Sequence, residues 1–253
     1  RYVSNGGYGL WLYYGVSACI FENNIFHELA TGVIHNGPVS GNVISYNYFT
    51  DIISTDYPQS VRIGTAAHGG HPFMNLFEGN YFNGPYIDAD FYWGSSSHNT
   101  YLRNRVAIDI TKTSDVTNVS LWKDQTYYNF IGNVLGIDGH ENKYEGNDLY
   151  DGKMIYCLDY TNSGSSNGQT LATILRHGNY DFVNNAVVWD KKILDRTIPN
   201  SYYLTEKPKW WGNLAWPAIG PDCNSMVNDI PAKLRLEGKM MDPQPPSHLR
   251  FVR

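Results

Sequence analysis

An asparagine that returns within the same short pattern along most of the chain constrains the fold more than any other feature. Asn42-Val-Ile-Ser-Tyr-Asn47-Tyr-Phe49, Asn75-Leu-Phe-Glu-Gly-Asn80-Tyr-Phe82 and Asn99-Thr-Tyr-Leu-Arg-Asn104-Arg-Val106 share an Asn, two apolar or β-favouring positions, two variable ones, a second Asn and an apolar close. The register extends without gaps to 19–26, 128–135 and 180–187, which puts the second Asn at 24, 47, 80, 104, 133 and 185. Three residues before that origin stand Phe21, Ile44, Phe77, Tyr101, Phe130 and Phe182, and two after it Phe26, Phe49, Phe82, Val106, Leu135 and Val187. Wholly apolar columns of this kind arise when stacked coils each point one side chain per strand into a shared core. The Asn column reads as an amide ladder at a repeated bend, because Asn tolerates left-handed turns and can bond to its own kind above and below.

The origins are separated by 23, 33, 24, 29 and 52 residues. A coil of 23 explains the shortest, 33 and 29 add loops, and 52 predicts a coil without the Asn near Met154 to Tyr160 plus an excursion at 161–168. The expected fold is all-β, a parallel β-helix solenoid over 1–190. A Pro- and Trp-rich segment over 191–242, with Trp210, Trp211 and Trp216, is expected to cover the last coil, and 243–253 reads as a linker-like tail. The chain opens at Arg1 almost directly inside patterned sequence, so it reads as a fragment or mature portion with earlier coils missing.

Charged residues are 17 % of the chain and the net charge is −5, which offers no general attraction to nucleic acid. No apolar run is long enough to span a bilayer, and nothing fixes an oligomeric state. Cys19, Cys157 and Cys223 have neither metal spacing nor a paired framework and are expected to be small buried residues.

Aligned further upstream, the coils place His35, His68 and Tyr92 twelve residues before the origin, and Gly37, Gly70 and Gly94 ten before it. With position thirteen inward, alternation turns His35, His68 and Tyr92 outward as one row, with Asp90 on the same face and Asp88 two residues earlier. His71, Trp93 and Trp122 stand beside them. Aromatic faces next to titratable groups are what a carbohydrate cleft needs, since rings contact sugar C–H groups and polar tips bond hydroxyls. His98 and Arg103 are further substrate-binding candidates. Glu78, two before its origin, is a catalytic acid on a different face or a residue that bonds the neighbouring turn. His68-x-x-His71 lacks the helical spacing that would turn both rings to one metal, so no metal site is expected; Ca²⁺ between Asp88 and Asp90 is the one cation these residues would suit.

The Asn-ladder coils resemble the pectate-lyase-like superfamily of right-handed parallel β-helices over roughly residues 9–190. The run from His68-Gly-Gly-His71-Pro to Glu78-Gly-Asn80, followed by Trp93-Gly and His98-Asn-Thr, is similar to a group of bacterial secreted β-helix repeat proteins. The resemblance implies a right-handed helix, a secreted or cell-surface protein and a polysaccharide partner. It transfers no catalytic set. The chain has no Arg-x-Pro-x-x-Arg run of the pectate lyase type, nor the Asn-Thr-Asp, Asp-Asp, Gly-His-Gly and Arg-Ile-Lys series of polygalacturonases. Three functions remain open. A glycoside hydrolase would use Asp88 and Asp90 with His68 or Glu78, without a cofactor. A lyase would take a C5 proton with His68 or Tyr92 and neutralise a uronate with Arg103 or Arg105. The third is a non-catalytic sugar-binding or adhesive solenoid.

Overall fold

Each repeat of the Asn pattern folds as two short strands with one sharp bend between them, and the bend is made by the residue before the Asn. Asn23, Tyr46, Gly79, Arg103, Gly132 and Gly178 all have φ between +54° and +68°, a left-handed conformation that interrupts an extended chain in one step. The origin Asn supplies the amide, and its predecessor, not the Asn itself as expected, supplies the turn.

A computed structural model describes residues 6–241, and its strands fall into six circuits. The first is β1 (Tyr8–Tyr13), β2 (Ile20–Glu22) and β3 (Ile25–Leu29), and the second β4 (Thr31–Asn36), β5 (Val43–Ser45) and β6 (Tyr48–Ile52). The third is β7 (Ile63–Ala67), β8 (Leu76–Glu78) and β9 (Tyr81–Gly84), and the fourth β10 (Tyr86–Ala89), β11 (Thr100–Leu102) and β12 (Arg105–Ile108). The fifth is β13 (Thr117–Trp122), β14 (Asn129–Ile131) and β15 (Val134–Leu135). After an excursion carrying β16 (Lys143–Gly146), the sixth is β17 (Met154–Tyr160), the short helix α1 (Gln169–Thr173), β18 (Leu175–His177) and β19 (Asn179–Asp181). Then β20 (Ala186–Val188) returns antiparallel to β19.

The circuits stack into three parallel sheets, visited in rotation. The first has the order β1-β4-β7-β10-β13-β17-β16, the second β18-β14-β11-β8-β5-β2 and the third β20-β19-β15-β12-β9-β6-β3. The protein is therefore all-β with long parallel sheets. No helix among the described residues is long and apolar enough to cross a membrane.

The ladder is continuous through Asn24, Asn47, Asn80, Asn104, Asn133 and Asn179. Each Nδ2 donates to the next Oδ1 at 2.8–3.0 Å, and that Oδ1 also accepts the preceding Asn backbone N–H. A shorter ladder, Asn42 to Asn75 to Asn99, marks the other bend, between the first and second sheets. The sixth origin is thus Asn179 and not Asn185, so the segment near Met154 to Tyr160 belongs to a circuit that does carry the Asn.

The inward column of the second sheet runs Phe21, Ile44, Phe77, Tyr101 and Phe130 and ends on Arg176, while Phe182 lies in a separate cluster. The column of the third sheet ends on Asp181 and not Val187. Beyond the last circuit lie only the single strands β16 and β20, not another full circuit, and polar groups take the inward places there: Arg176 lies over the Tyr144 and Tyr156 rings and pairs with Glu145 at 2.7 Å.

Phe26, Phe49 and Phe82 stack face to face at 4.6 Å, each such side chain contributing about 1.5–3 kcal/mol by burial. Gly9, Gly32 and Gly64 of the first sheet make this stack possible, because a Cβ at Gly32 would lie 2.6 Å from the Phe49 ring and 2.4 Å from Gly64 O.

The segment from 190 to 241 touches the last circuit where Asp195 O bonds His177 Nε2 and Ile198 packs at Gly178, and it continues well beyond that circuit. It is a strap along the outside of the second and third sheets, ending in α2 (Pro231–Leu236). Tyr203 OH bonds to Ser45 Oγ and Glu22, Trp216 Nε1 donates to Tyr46 OH, and Arg235 donates to Asn23 O, so the strap reaches back to the first circuit. The tail 243–253, expected as a linker, lies outside the described residues. The three cysteines are free, Cys157 buried and the other two half-buried.

Candidate functional site

The outward face of the first sheet carries two adjacent rows. Ile34, Ala66, Asp88, Ser120 and Cys157 pair across successive strands and form one. The next comprises Asn36, His68, Asp90 and Trp122, one position beyond the inward column of His35, Ala67, Ala89 and Leu121. A cavity of about 470 Å³ lies over both rows. Its floor is open because Asp88 has only Ala66 and Ser120 as neighbours in its row.

The walls are loops. The connections from the third sheet to the next circuit are single residues at Ala30 and Pro85, but 53–62 and 109–116 are long. Backbone bonds from Val61 N–H to Ser114 O and from Ser114 N–H to Gln59 O tie these two loops together. They bring Tyr57, Arg62 and Asp115 to the cavity, while Tyr150 and Asn162 close it from the loops around β17. These residues were not identified from sequence. The signal that marks the first wall is in the repeat: the enlarged spacings of 33 and 29 residues are where these insertions lie.

At the centre, His68 Nδ1 and Asp90 Oδ2 are 2.5 Å apart, Asp90 Oδ1 accepts the Tyr92 backbone N–H, and Gln125 Nε2 donates to Asp90 O. The hydrogen bond to Asp90 raises the His68 pKa above its ordinary value, against the effect of burial. Asp88 is 3 % exposed. Burial first, and then the Asp90 carboxylate beside it, push the Asp88 carboxyl well above the usual range. Ser120 and Trp122 pull it back in part, though neither sits at hydrogen-bonding geometry: Asp88 Oδ1, Ser120 Oγ and Trp122 Nε1 are all buried without a hydrogen-bond partner. An orphaned carboxyl oxygen with two orphaned donors beside it, at a cavity, needs a ligand or water to satisfy it. Tyr92 and Trp122, 5.0 Å apart, stand over this spot as tilted rings.

Asp88, Asp90, His68, Tyr92 and Trp122 are therefore brought together, and the other candidates are not. His35 points into the core, 1 % exposed and edge-on to Phe77. The ungapped alignment holds back to Ser40, Phe73 and Ser97, seven before each origin, and fails upstream because the bend there varies in length. His35 pairs with Ala67, so the inward phase falls on His35 and not on Ile34. His71, at φ +77°, is exposed on that bend, and His98 stacks on Tyr127 at 4.8 Å beside the second sheet. Trp93 lines a neighbouring hollow. Glu78 accepts Tyr46 O–H and the Tyr202 backbone N–H under the strap. Arg103 is 1 % exposed and grips Asp222 with both Nη atoms at 2.7 and 2.8 Å, while donating to the carbonyls of Ile198, Pro199 and Ile219. Both belong to the strap contact, not the cavity.

His35 carries a pH consequence. Burial lowers its pKa to about 4 from an ordinary 6.5, so between these values the unfolded chain binds more protons than the folded one. Stability present above pH 6.5 is lost as pH falls towards 4. Urea unfolding at pH 7 and pH 5 should differ by on the order of 2 kcal/mol from this group, and His35→Leu should remove that part of the difference. An unchanged pH dependence in the variant would show that His35 does not titrate this way.

Comparison with known proteins finds no matching family model, and no significant match among curated proteins or solved structures.

Proposed function

We propose that the chain is a right-handed parallel β-helix of the pectate-lyase-like kind, secreted or displayed at the cell surface, and that it hydrolyses a neutral or weakly charged polysaccharide in the cavity over Asp88 and Asp90. The observation that carries this reading is a pair of neighbouring carboxyl groups in unlike surroundings, one buried with an unpartnered oxygen and the other hydrogen-bonded at the cavity. Asp88 is pushed towards the protonated form, while Asp90 is held by His68 and a backbone N–H. Two carboxyl groups side by side, one of them buried, suit the acid and base roles of glycoside hydrolysis.

In this reading Asp88 O–H gives its proton to the glycosidic oxygen as the C1–O bond breaks. Asp90, oriented by His68, takes a proton from the incoming water or attacks the anomeric carbon itself. The two residues are two apart along one strand face, about 7 Å at the backbone, and side-chain rotation brings the carboxyl groups to either working distance. Two carboxyl groups and water complete the reaction, so no cofactor enters it. Elimination is less well supported, because Arg103 and Arg105 are both engaged elsewhere: Arg105 donates to the carbonyls of Val106, Val134 and Gly136. Asp88, Asp90 and Asp115 line the cavity against Arg62 and His68, which disfavours a uronate polymer.

Incubation with a panel of neutral and uronate polysaccharides, recording both new reducing ends and the ultraviolet absorbance of unsaturated ends, tests the reading. Reducing ends without unsaturation are expected on a neutral polymer. Unsaturated ends would establish a lyase, and binding without any product a non-catalytic solenoid.

A further inference from the structure

Beside the cavity, across the bend that follows β4, β7 and β10, lies a hollow of about 540 Å³ whose walls are aromatic. Trp11, Tyr13 and Tyr14 form one side and Trp93 the other, with Asn36 between them. These rings are unusually bare: Trp93 is 72 % exposed, Tyr14 67 % and Trp11 52 %. Tyr8, Trp11, Tyr13 and Tyr14 meet one another edge-on at 5.8, 4.9 and 4.2 Å, so the exposed faces are held in place by ring contacts.

The floor is bare backbone, because successive circuits come too close there to admit side chains. A Cβ on Gly69 would fall 2.2 Å from the Gly37 nitrogen, and one on Gly94 2.9 Å from the Gly70 Cα. Among the described residues, no Asp, Glu, Lys, Arg or His lines the hollow. A lining of ring faces, phenol and indole polar edges, one amide and open backbone suits a solute with an apolar face and a rim of hydroxyls and no charge. That is the chemistry of a pyranose ring.

Two aromatic pairs link the lining of the hollow to that of the cavity. Tyr8 lines the cavity and its ring contacts Trp11, while Tyr92, next to Trp93, meets His68 in the cavity at 6.1 Å. We propose that the hollow is a distal subsite for an uncharged sugar unit of the same polysaccharide chain whose scissile bond lies over Asp88 and Asp90. This rests on the carbohydrate reading of the cavity and extends it to a neutral substrate long enough to cross the bend.

Titration calorimetry with short and long members of the cello-, xylo-, manno- and malto-oligosaccharide series tests this. For the long members of whichever series binds, Trp93→Ala and Trp11→Ala should each weaken binding by roughly five- to tenfold, Trp93→Phe should restore most of it, and disaccharide affinity should not change. Tyr92→Ala, in the cavity, should weaken short and long probes alike. If the Trp variants bind every probe as wild type does while Tyr92→Ala weakens them, the hollow is overturned and the cavity reading stands. If only the Trp variants matter, the hollow is supported and the cavity reading fails. If no neutral probe binds the wild-type protein, both are overturned.

Discussion

Asp90→Asn is expected to lower turnover of the substrate polysaccharide by about two to four orders of magnitude, the range for removing a positioned acid or base. The melting temperature should stay near that of the wild type. Asparagine keeps the shape of aspartate, its Oδ1 can still accept the Tyr92 N–H, and its amide can donate to a neutral His68 ring. Binding of oligosaccharide should survive, because the rings of Tyr92 and Trp122 are untouched. The pH profile carries a second expectation. Asp88 must be protonated to act, so wild-type activity falls as pH rises through its raised pKa. The Asp90 charge contributes to that raised value, so the alkaline limb of any residual activity in the variant should move to lower pH. A variant with full activity and a lowered melting temperature would make Asp90 a structural turn residue.

Arg103→Met should cost about 1–3 kcal/mol of stability in denaturant unfolding, the effect of leaving buried carbonyl acceptors without their donor, because the Asp222 side chain is 46 % exposed and does not become a buried unpaired charge. The guanidinium gathers Asp222 and the carbonyls of Ile198, Pro199 and Ile219 onto the bend before Asn104. Without it these acceptors lose their donor and the strap loses its central attachment, although Glu78 and Tyr46 still hold its neighbouring stretches. Below the unfolding transition the variant should retain its activity. Lost activity at unchanged stability would return Arg103 to the substrate and favour elimination.

The two residues illustrate what could be read before the structure. The ladder, the aromatic columns and the long insertions were legible because every interior circuit repeats one environment, so the same residue types recur at fixed offsets. The repeat stopped being informative where the environment changed. At Asn179 the inward positions of the terminal circuit become Arg176 and Asp181, and the apolar match slid six residues on to Asn185. At the bend after the first sheet the chain length varies, so His35 and His68 share an offset but face opposite ways. Arg103 and Glu78 looked functional by residue type, and only the path of the strap, which has no repeat, shows what they hold. Asp88, Asp90 and His68 were found because the first sheet places them on one face, although the row expected with His35 does not exist.

The most direct measurement is a crystal structure of the Asp90→Asn variant with an uncleaved neutral oligosaccharide. The account predicts a sugar ring under Tyr92 and Trp122, a glycosidic oxygen within hydrogen-bonding distance of Asp88, and partners for the buried Ser120 Oγ and Trp122 Nε1. An oligosaccharide bound on another face, with the Asp88 cavity holding only water, would contradict it.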